Sequence, residues 1–584
     1  MFRENTAHQQ RRLISTLDDL PAGVREMLEA SWAGVFYREV FSRLDERPFE
    51  VLYSSQASRP NVPVNVLVGL EILKAGFGWT DEELYHHFMF DLQVRYAVGY
   101  EQLGDGYLSI RTIYEFRGRL SKQMQETGEN LLEAAFAQVT DEQIEALALR
   151  TDKLRMDSTQ IAGHIRRFGR LQLLVEVLQR VERILVDEDR ERYAEQLASY
   201  TRSKAGHYVH RVKSDETESH LTAIGYVMAQ LVTELAEGYE QEPVYQMLVR
   251  VFTEHFVWQE EHLFPKAAAE LSSTSLQAPD DPEATFRRKR GKSYRGYVAN
   301  VTETCNPDNE LQLIVQTQTE PNVTDDGQML ADAVPDLVAR TEVDTLHTDG
   351  GYTGPETDRI LAEAEIDHKP SAIRGAKPSG DKLSLADFEC EFDDQGNPVA
   401  LTCPEGERFA VEPGRTEERF IARPDDATCA GCPLLARCPV RPAKSHLKPV
   451  LYFDKRAIEV AAKRRQIAAS PPGQPNLRAA VEATVRSLKH PFRHGKLLVR
   501  GKFRIACQII ASAMMVNLRR IHQYRKERTN PLVSLIFSAI FLLQRLLQSR
   551  TATPHFFSHQ SVLRSCASAM AALYVRHDSL YSKF

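Results

Sequence analysis

The sequence predicts an α/β protein with a sheet-containing core, an N-terminal helical domain, a helical insertion and a small cysteine-rich insertion. Three observations carry this reading. Up to about residue 135, and again from 170 to about 280, apolar residues recur at helical spacing. Between 281 and 323 the period switches to that of strands. From 387 to about 449 both patterns give way to Pro, Gly, charge and cysteine. A chain of 584 residues is also too long for one core, and about three or four domains are expected.

In the first part, Val66, Leu67, Leu70 and Leu73 make one helical face after the breaker run Arg59-Pro60-Asn61-Val62-Pro63. Thr80 and Glu83 have capping-box spacing and open the next predicted helix. Tyr107 to Arg117 leads into another. Compact helices in this order suit a helix-turn-helix, and equally suit a plain packing domain.

Leu147 to Ile161 turns strand-like around Leu154-Arg155-Met156-Asp157, which puts Asp157 at a strand end, able to face a cleft. The competing reading of Asp157 is a turn with Ser158 and Thr159. Leu171, Leu174, Val175, Leu178 and Val181 then begin a long amphipathic stripe, and Ile224, Met228, Leu231 and Leu235 make a second. This insertion is acidic at Asp187-Glu188-Asp189, which does not suit a polyanionic partner. Arg287 to Lys292 reads as a basic loop. Tyr297 to Thr302 and Leu311 to Thr317 read as a hairpin turning at Asn306-Pro307-Asp308-Asn309. A helix follows from Asp325 to Ala339, with a kink or break expected at Pro335. Val343 to His347 is a short strand that delivers Asp349, and Gly350, Gly351 and Gly354 let the backbone turn after it. Thr357 to Glu365 is the next helix. Strand, hairpin, helix, strand, helix is the order of a ribonuclease H-like fold.

The segment from Asp387 to about Pro449 has little apolar content from which to make a core, so it is expected to need a staple. Cys429 and Cys432 have metal-knuckle spacing, and Cys403 and Cys438 would close a tetrahedral thiolate site. Cys390 could stand in for Cys403, and an iron–sulfur cluster is the alternative to structural zinc.

The most informative stretch runs from Asn476 to Asn517. Ser470-Pro471-Pro472-Gly473-Gln474-Pro475 precedes it, Asn476 stands where an N-cap belongs, and Pro491 ends the helix. Leu477, Val481, Val485 and Leu488 give the apolar face. Arg478, Glu482, Arg486 and Lys489 follow the same rhythm one position later, so one acid sits in a column of bases. Taken alone, Glu482 is an ion-pair partner for its neighbours. Taken with Asp157 and Asp349 it is more, because carboxylates from two strands and a helix can hold two divalent cations against a phosphodiester.

The spacing Arg478-x3-Glu482-x6-Lys489 is similar to the R-x3-E-x6-K part of the Y-R-E-K motif of bacterial insertion-sequence transposases with a DDE active site. RMDSTQI around Asp157 and LHTDGGYTG around Asp349 resemble that family's other two motifs. Pro63 to Leu67 and Phe116-Arg117-Gly118-Arg119-Leu120 resemble elements of its N-terminal domain, and the cysteine segment resembles an insertion found in one branch before the glutamate. The motif's tyrosine would fall at 475, where this chain has Pro, so no role is carried over for it.

The resemblance implies an enzyme that cuts and joins the ends of its own element. Asp157, Asp349 and Glu482 would hold two Mg²⁺ or Mn²⁺, while Arg478, Arg486 and Lys489 would lie on DNA phosphates. Its implied partners are the terminal inverted repeats, target DNA and a second copy of the chain. A ribonuclease H-like nuclease that does not join strands, and a DNA-binding remnant that does not cut, are the alternatives. The corresponding divisions are 1–135 (helical, DNA-binding or dimerising), 136–386 (core, first part), 387–450 (metal-binding insert), 451–530 (core, second part) and 531–584 (helical tail).

Net charge is −7, which is unexpected for a DNA-binding chain, but its distribution is uneven. From Arg441 to Asn530 there are 21 Lys and Arg against four acids, a basic segment around Glu482. The opening residues have no apolar signal-peptide core, and the apolar run Ile536 to Leu543 is short of a membrane span. A cytoplasmic location is therefore expected, with the eight cysteines reduced or metal-bound.

Overall fold

A computed structural model of the chain describes residues 1–10, 15–56, 59–102, 104–289, 291–374, 381–416, 418–442, 449–469 and 477–529. These divide into two compact units: Met1–Gln143 with the described residues from Ile510, and Ile144–Ile509.

The first unit is helical. Thr80 caps the helix Asp81–Phe90 reciprocally with Glu83, whose carboxylate accepts the Thr80 amide at 2.8 Å while the Thr80 hydroxyl accepts the Glu83 amide at 3.2 Å. The helix Val64–Phe77 is buried on nearly every side rather than on one face. It packs so closely that a Cβ on Gly76 would stand 2.2 Å from Met515 Cγ. In the helix Ile110–Thr127, Phe116 and Leu120 are core residues. Arg117 is spent internally, pairing with Glu71 and Asp81 at 2.8 Å each.

The second unit is built on a mixed sheet. Its central strand, Lys153–Ile161, pairs antiparallel with the long strand Lys292–Thr304, which pairs antiparallel with Ile314–Pro321. On the other side the central strand runs parallel to Thr345–Thr348, and that strand runs parallel to Asp367–Pro370. Side chains alternate along the central strand. Leu154 and Met156 enter a core with Leu330 and Leu337 of the helix Asp326–Arg340 and Leu361 of the helix Pro355–Glu363. Arg155, Asp157 and Thr159 point to the opposite face.

Several expectations are corrected here. The central strand does not end at Asp157 but continues to Ile161, because the long strand pairs with it along that whole length. The second hairpin strand starts at Ile314 rather than Leu311, since Gln312 turns inward to bond the Thr304 hydroxyl and the Asn306 carbonyl at 2.7 Å each. The basic run at Arg287 is not a loop: Thr285–Lys289 pairs with the start of the long strand, and Gly291 supplies the left-handed turn at φ 78°. The helix Asp326–Arg340 passes unbroken through Pro335, which is exposed while Ala333, Val334 and Leu337 stay locked in the core.

The helical insertion runs from Arg170 to His255 and ends in a small hairpin, Phe256–Gln259 with His262–Pro265, that has no counterpart in the sequence reading. Its core is continuous with the sheet end through Tyr297, Ala299, Phe492 and Leu497. The cysteine-bearing insert also has a core of its own, contrary to expectation. Short strands from Glu389 to Asp454 make a six-stranded sheet, and Phe388, Leu401, Phe409, Leu451, Phe453 and Ile458 pack together. Its few apolar residues suffice because they alternate in strands and so collect on one face.

Candidate active site

The glutamate-bearing helix lies along the central strand and touches it at three successive same-face residues. Arg155 Nη1 donates to the Leu477 carbonyl at 2.8 Å. Arg478 Nη2 donates to Asp157 Oδ2 at 2.9 Å. Lys489 Nζ donates to Thr159 Oγ1 at 2.6 Å. The segment opens with a 3₁₀ turn, Leu477–Ala480, and becomes α-helical over Val481–Lys489. Asn476 and Pro475, the expected cap and the site of the motif's missing tyrosine, lie outside the described residues, as does the apolar run at 532–547.

Val481, Thr484, Val485 and Leu488 form the buried face of this helix, which leaves Glu482 pointing outward with its side chain 64% exposed. Arg478 Nη1 stands 3.4 Å from Glu482 Oε1. A single guanidinium therefore links Asp157, which is 7% exposed, to Glu482. Arg486 is exposed on the same outer side as Glu482.

Asp349 follows the strand Thr345–Thr348 directly and caps the turn Gly350–Tyr352, its Oδ1 accepting the Gly351 amide at 2.7 Å. In the parallel register Arg155 faces His347, and continuing by two residues brings Asp157 alongside Asp349. A fourth acid reaches the same place. Asp326, nearly buried, accepts the Ser158 hydroxyl at 2.8 Å. A Cβ on Gly351 would lie 2.6 Å from Asp326 Oδ2 and 2.9 Å from Asp349 Oδ1, so a side chain there would displace one or both carboxylates. Beneath them the buried Tyr352 hydroxyl donates to Asn300 Oδ1 at 2.7 Å.

Burial pushes the Asp157 carboxyl above the usual carboxylate range; Arg478 pulls it back, and the neighbouring Asp349 charge raises it again. Burial works against the Arg478 charge but is outweighed by Asp157, Asp349 and Glu482, which leave it more firmly protonated. Burial alone draws Lys489 below the usual lysine range.

The three expected acids and Arg478 are thus brought together, with Lys489 two turns beyond Glu482 on the same helix. Among the described residues no three of His, Cys, Asp or Glu are grouped tightly enough to hold a metal ion. Cys403, Cys429, Cys432 and Cys438 line one pocket, and the last two turns link them by backbone hydrogen bonds from Cys432 to Cys429 and from Cys438 to Leu435. Burial raises the Cys429 thiol, and Cys438, Cys432 and Cys403 raise it further by proximity. Cys390 lies outside this pocket, near Arg465. Asp326, Tyr352, Arg155 and Thr484 were not legible as site residues. Their partners lie far away in the chain, as with Ser158 and Asp326, 168 residues apart.

Residues 402–522 match the family model described as a transposase DDE domain. Over that stretch the chain is similar to a transposase DDE domain. The matched stretch takes in Glu482, its helix and the four pocket cysteines, while Asp157 and Asp349 precede it. No curated protein and no solved structure matches the chain. No helix among the described residues is long and apolar enough to cross a membrane.

Proposed function

We propose that this DDE protein is the transposase of a bacterial insertion sequence, which cuts and joins the ends of its own element in the cytoplasm. The observation that carries the reading is the convergence of Asp157 and Asp349, from two parallel strands ahead of the matched stretch, with Glu482, from a helix inside it, around Arg478. The sheet order, with one antiparallel hairpin beside three parallel strands, supports a ribonuclease H-like core.

Hard carboxylate oxygens are the donor set that Mg²⁺ or Mn²⁺ takes, and Asp157, Asp349 and Glu482 would hold two such ions once Arg478 leaves Asp157 and the carboxylates close on one another. When bound, the ions supply Lewis acidity to the phosphodiester and to the attacking oxygen. Arg478 must then exchange Asp157 for a DNA phosphate, and Lys489 must exchange Thr159; Arg486 needs no such exchange. In the insert, four thiols around one pocket have the soft donor chemistry of structural Zn²⁺ and would have to draw closer together to bind it. Two copies of the chain would serve the two ends of the element.

The test uses purified protein, a duplex carrying the sequences that flank the coding region, and Mg²⁺ or Mn²⁺, beside Asp157→Ala, Asp349→Ala and Glu482→Ala. Metal-dependent cleavage followed by joining is expected, with cutting abolished and DNA binding retained in all three variants. Cleavage that never proceeds to joining would mark a nuclease instead. Binding without cleavage by the unmutated protein would mark a DNA-binding remnant.

A further inference from the structure

Glu303 is fully buried, in the long strand directly opposite Arg155. Arg155 Nε donates to Glu303 Oε1 at 2.7 Å, and the Thr484 hydroxyl lies 2.9 and 2.8 Å from the two Glu303 oxygens. The same guanidinium, through Nη1, holds the Leu477 carbonyl. One buried ion pair on the sheet therefore grips the last helix at two points, one before Arg478 and one two residues after Glu482. Thr484 is on the buried side of that helix and Glu482 on the exposed side, so fixing Thr484 fixes the direction in which Glu482 points.

Burying a charged pair is expensive, and apolar residues of similar volume commonly hold two elements together at least as well. What such a pair adds is a single allowed register, because only one placement of the helix satisfies every donor and acceptor. We propose that Arg155, Glu303 and Thr484 are positioning residues for the reaction: a buried latch that sets the Glu482 carboxylate and the Arg478 guanidinium against Asp157. The inference rests on the reading of Glu482 as a metal ligand. Shell residues of this kind orient a ligand without touching the ion, and their loss commonly lowers metal affinity or activity about 10- to 100-fold.

The informative variant is Thr484→Val, which keeps the shape of the side chain and removes its hydroxyl, with Thr484→Ser as the conservative control. In the flanking-sequence duplex assay, Thr484→Val is expected to raise the Mg²⁺ concentration for half-maximal cutting and to slow cutting by about tenfold, with DNA binding unchanged. Thr484→Ser should restore both. A purely structural role would lower the thermal midpoint without moving the Mg²⁺ midpoint. Cutting by Thr484→Val with unaltered rate and Mg²⁺ midpoint would overturn the latch while leaving the active-site reading intact. Amide hydrogen exchange on the full chain gives a measurement independent of cutting. Thr484→Val should speed exchange over 477–489 and leave 153–161 unchanged, and equal exchange in both proteins would overturn the latch even if the unmutated protein cut no DNA.

Discussion

At the scale of single residues, two sites make pH predictions of opposite character. His255 is 3% exposed, and its Nδ1 accepts from Arg170 Nε at 3.1 Å, which requires a neutral ring. Burial, then Arg170 and Lys266, lower its pKa to about 4. The unfolded chain takes up this proton near the ordinary value of about 6.5 and the folded chain does not until about 4. The contribution to stability is therefore whole above about pH 6.5 and is lost as pH falls towards 4, by up to about 3 kcal/mol. Chemical denaturation of His255→Phe, compared with the unmutated protein at several pH values, should show that slope disappear. Asp157 behaves differently, since its pKa is raised by burial and held back by Arg478. Arg478→Gln should raise it further, so the acid limb of metal-dependent cutting should move to higher pH. An unmoved limb would separate Arg478 from the ionisation of Asp157.

At the scale of elements, the cysteine insert and the glutamate helix owe their order to different forces. The insert has an apolar core, with Phe388 and Leu401 fully buried, and its pocket cysteines lie at one side of that core. Chelation should therefore leave its strands folded, while Cys429→Ser with Cys432→Ser should remove zinc from the purified protein and lower its thermal midpoint. Zinc content unchanged in that double variant would overturn the thiolate site. Phe388→Ala should destabilise the insert by about 3–5 kcal/mol, read by hydrogen exchange over 389–454. The glutamate helix instead pairs a hydrophobic face with polar contacts to the sheet. Its apolar period was plain in the sequence, as was its charged column. That Arg478 bonds Asp157 was not, because the two are 321 residues apart and only the sheet brings them together.

At the scale of the whole molecule, the uneven charge becomes meaningful. In sequence, the basic stretch from Arg441 to Asn530 lies on both sides of the helix that carries Glu482, although the chain as a whole is acidic. DNA binding should weaken with salt as a straight line on logarithmic axes, with a slope near 0.9 per phosphate contact released, roughly speaking. Arg486→Ala should reduce that slope by about one and weaken binding to any sequence alike. A slope close to zero would place the DNA elsewhere.

The sequence by itself determined the periodic elements, the breaks between them and the column of bases around Glu482. These are local signals, carried by spacing, capping residues and turn residues within a few positions of one another. It also determined that a cysteine group would sit ahead of the glutamate. Only the tertiary structure decided that the central strand runs past Asp157, that the basic run at Arg287 is a strand, and that Pro335 leaves its helix whole. In each case pairing or packing with a distant segment outweighs a local preference. Only the tertiary structure, too, decided which polar residues are packed around the candidate site. Asp326, Glu303 and Thr484 have no motif around them; each acquires its place from a partner more than a hundred residues away, across a buried face where every donor must find an acceptor.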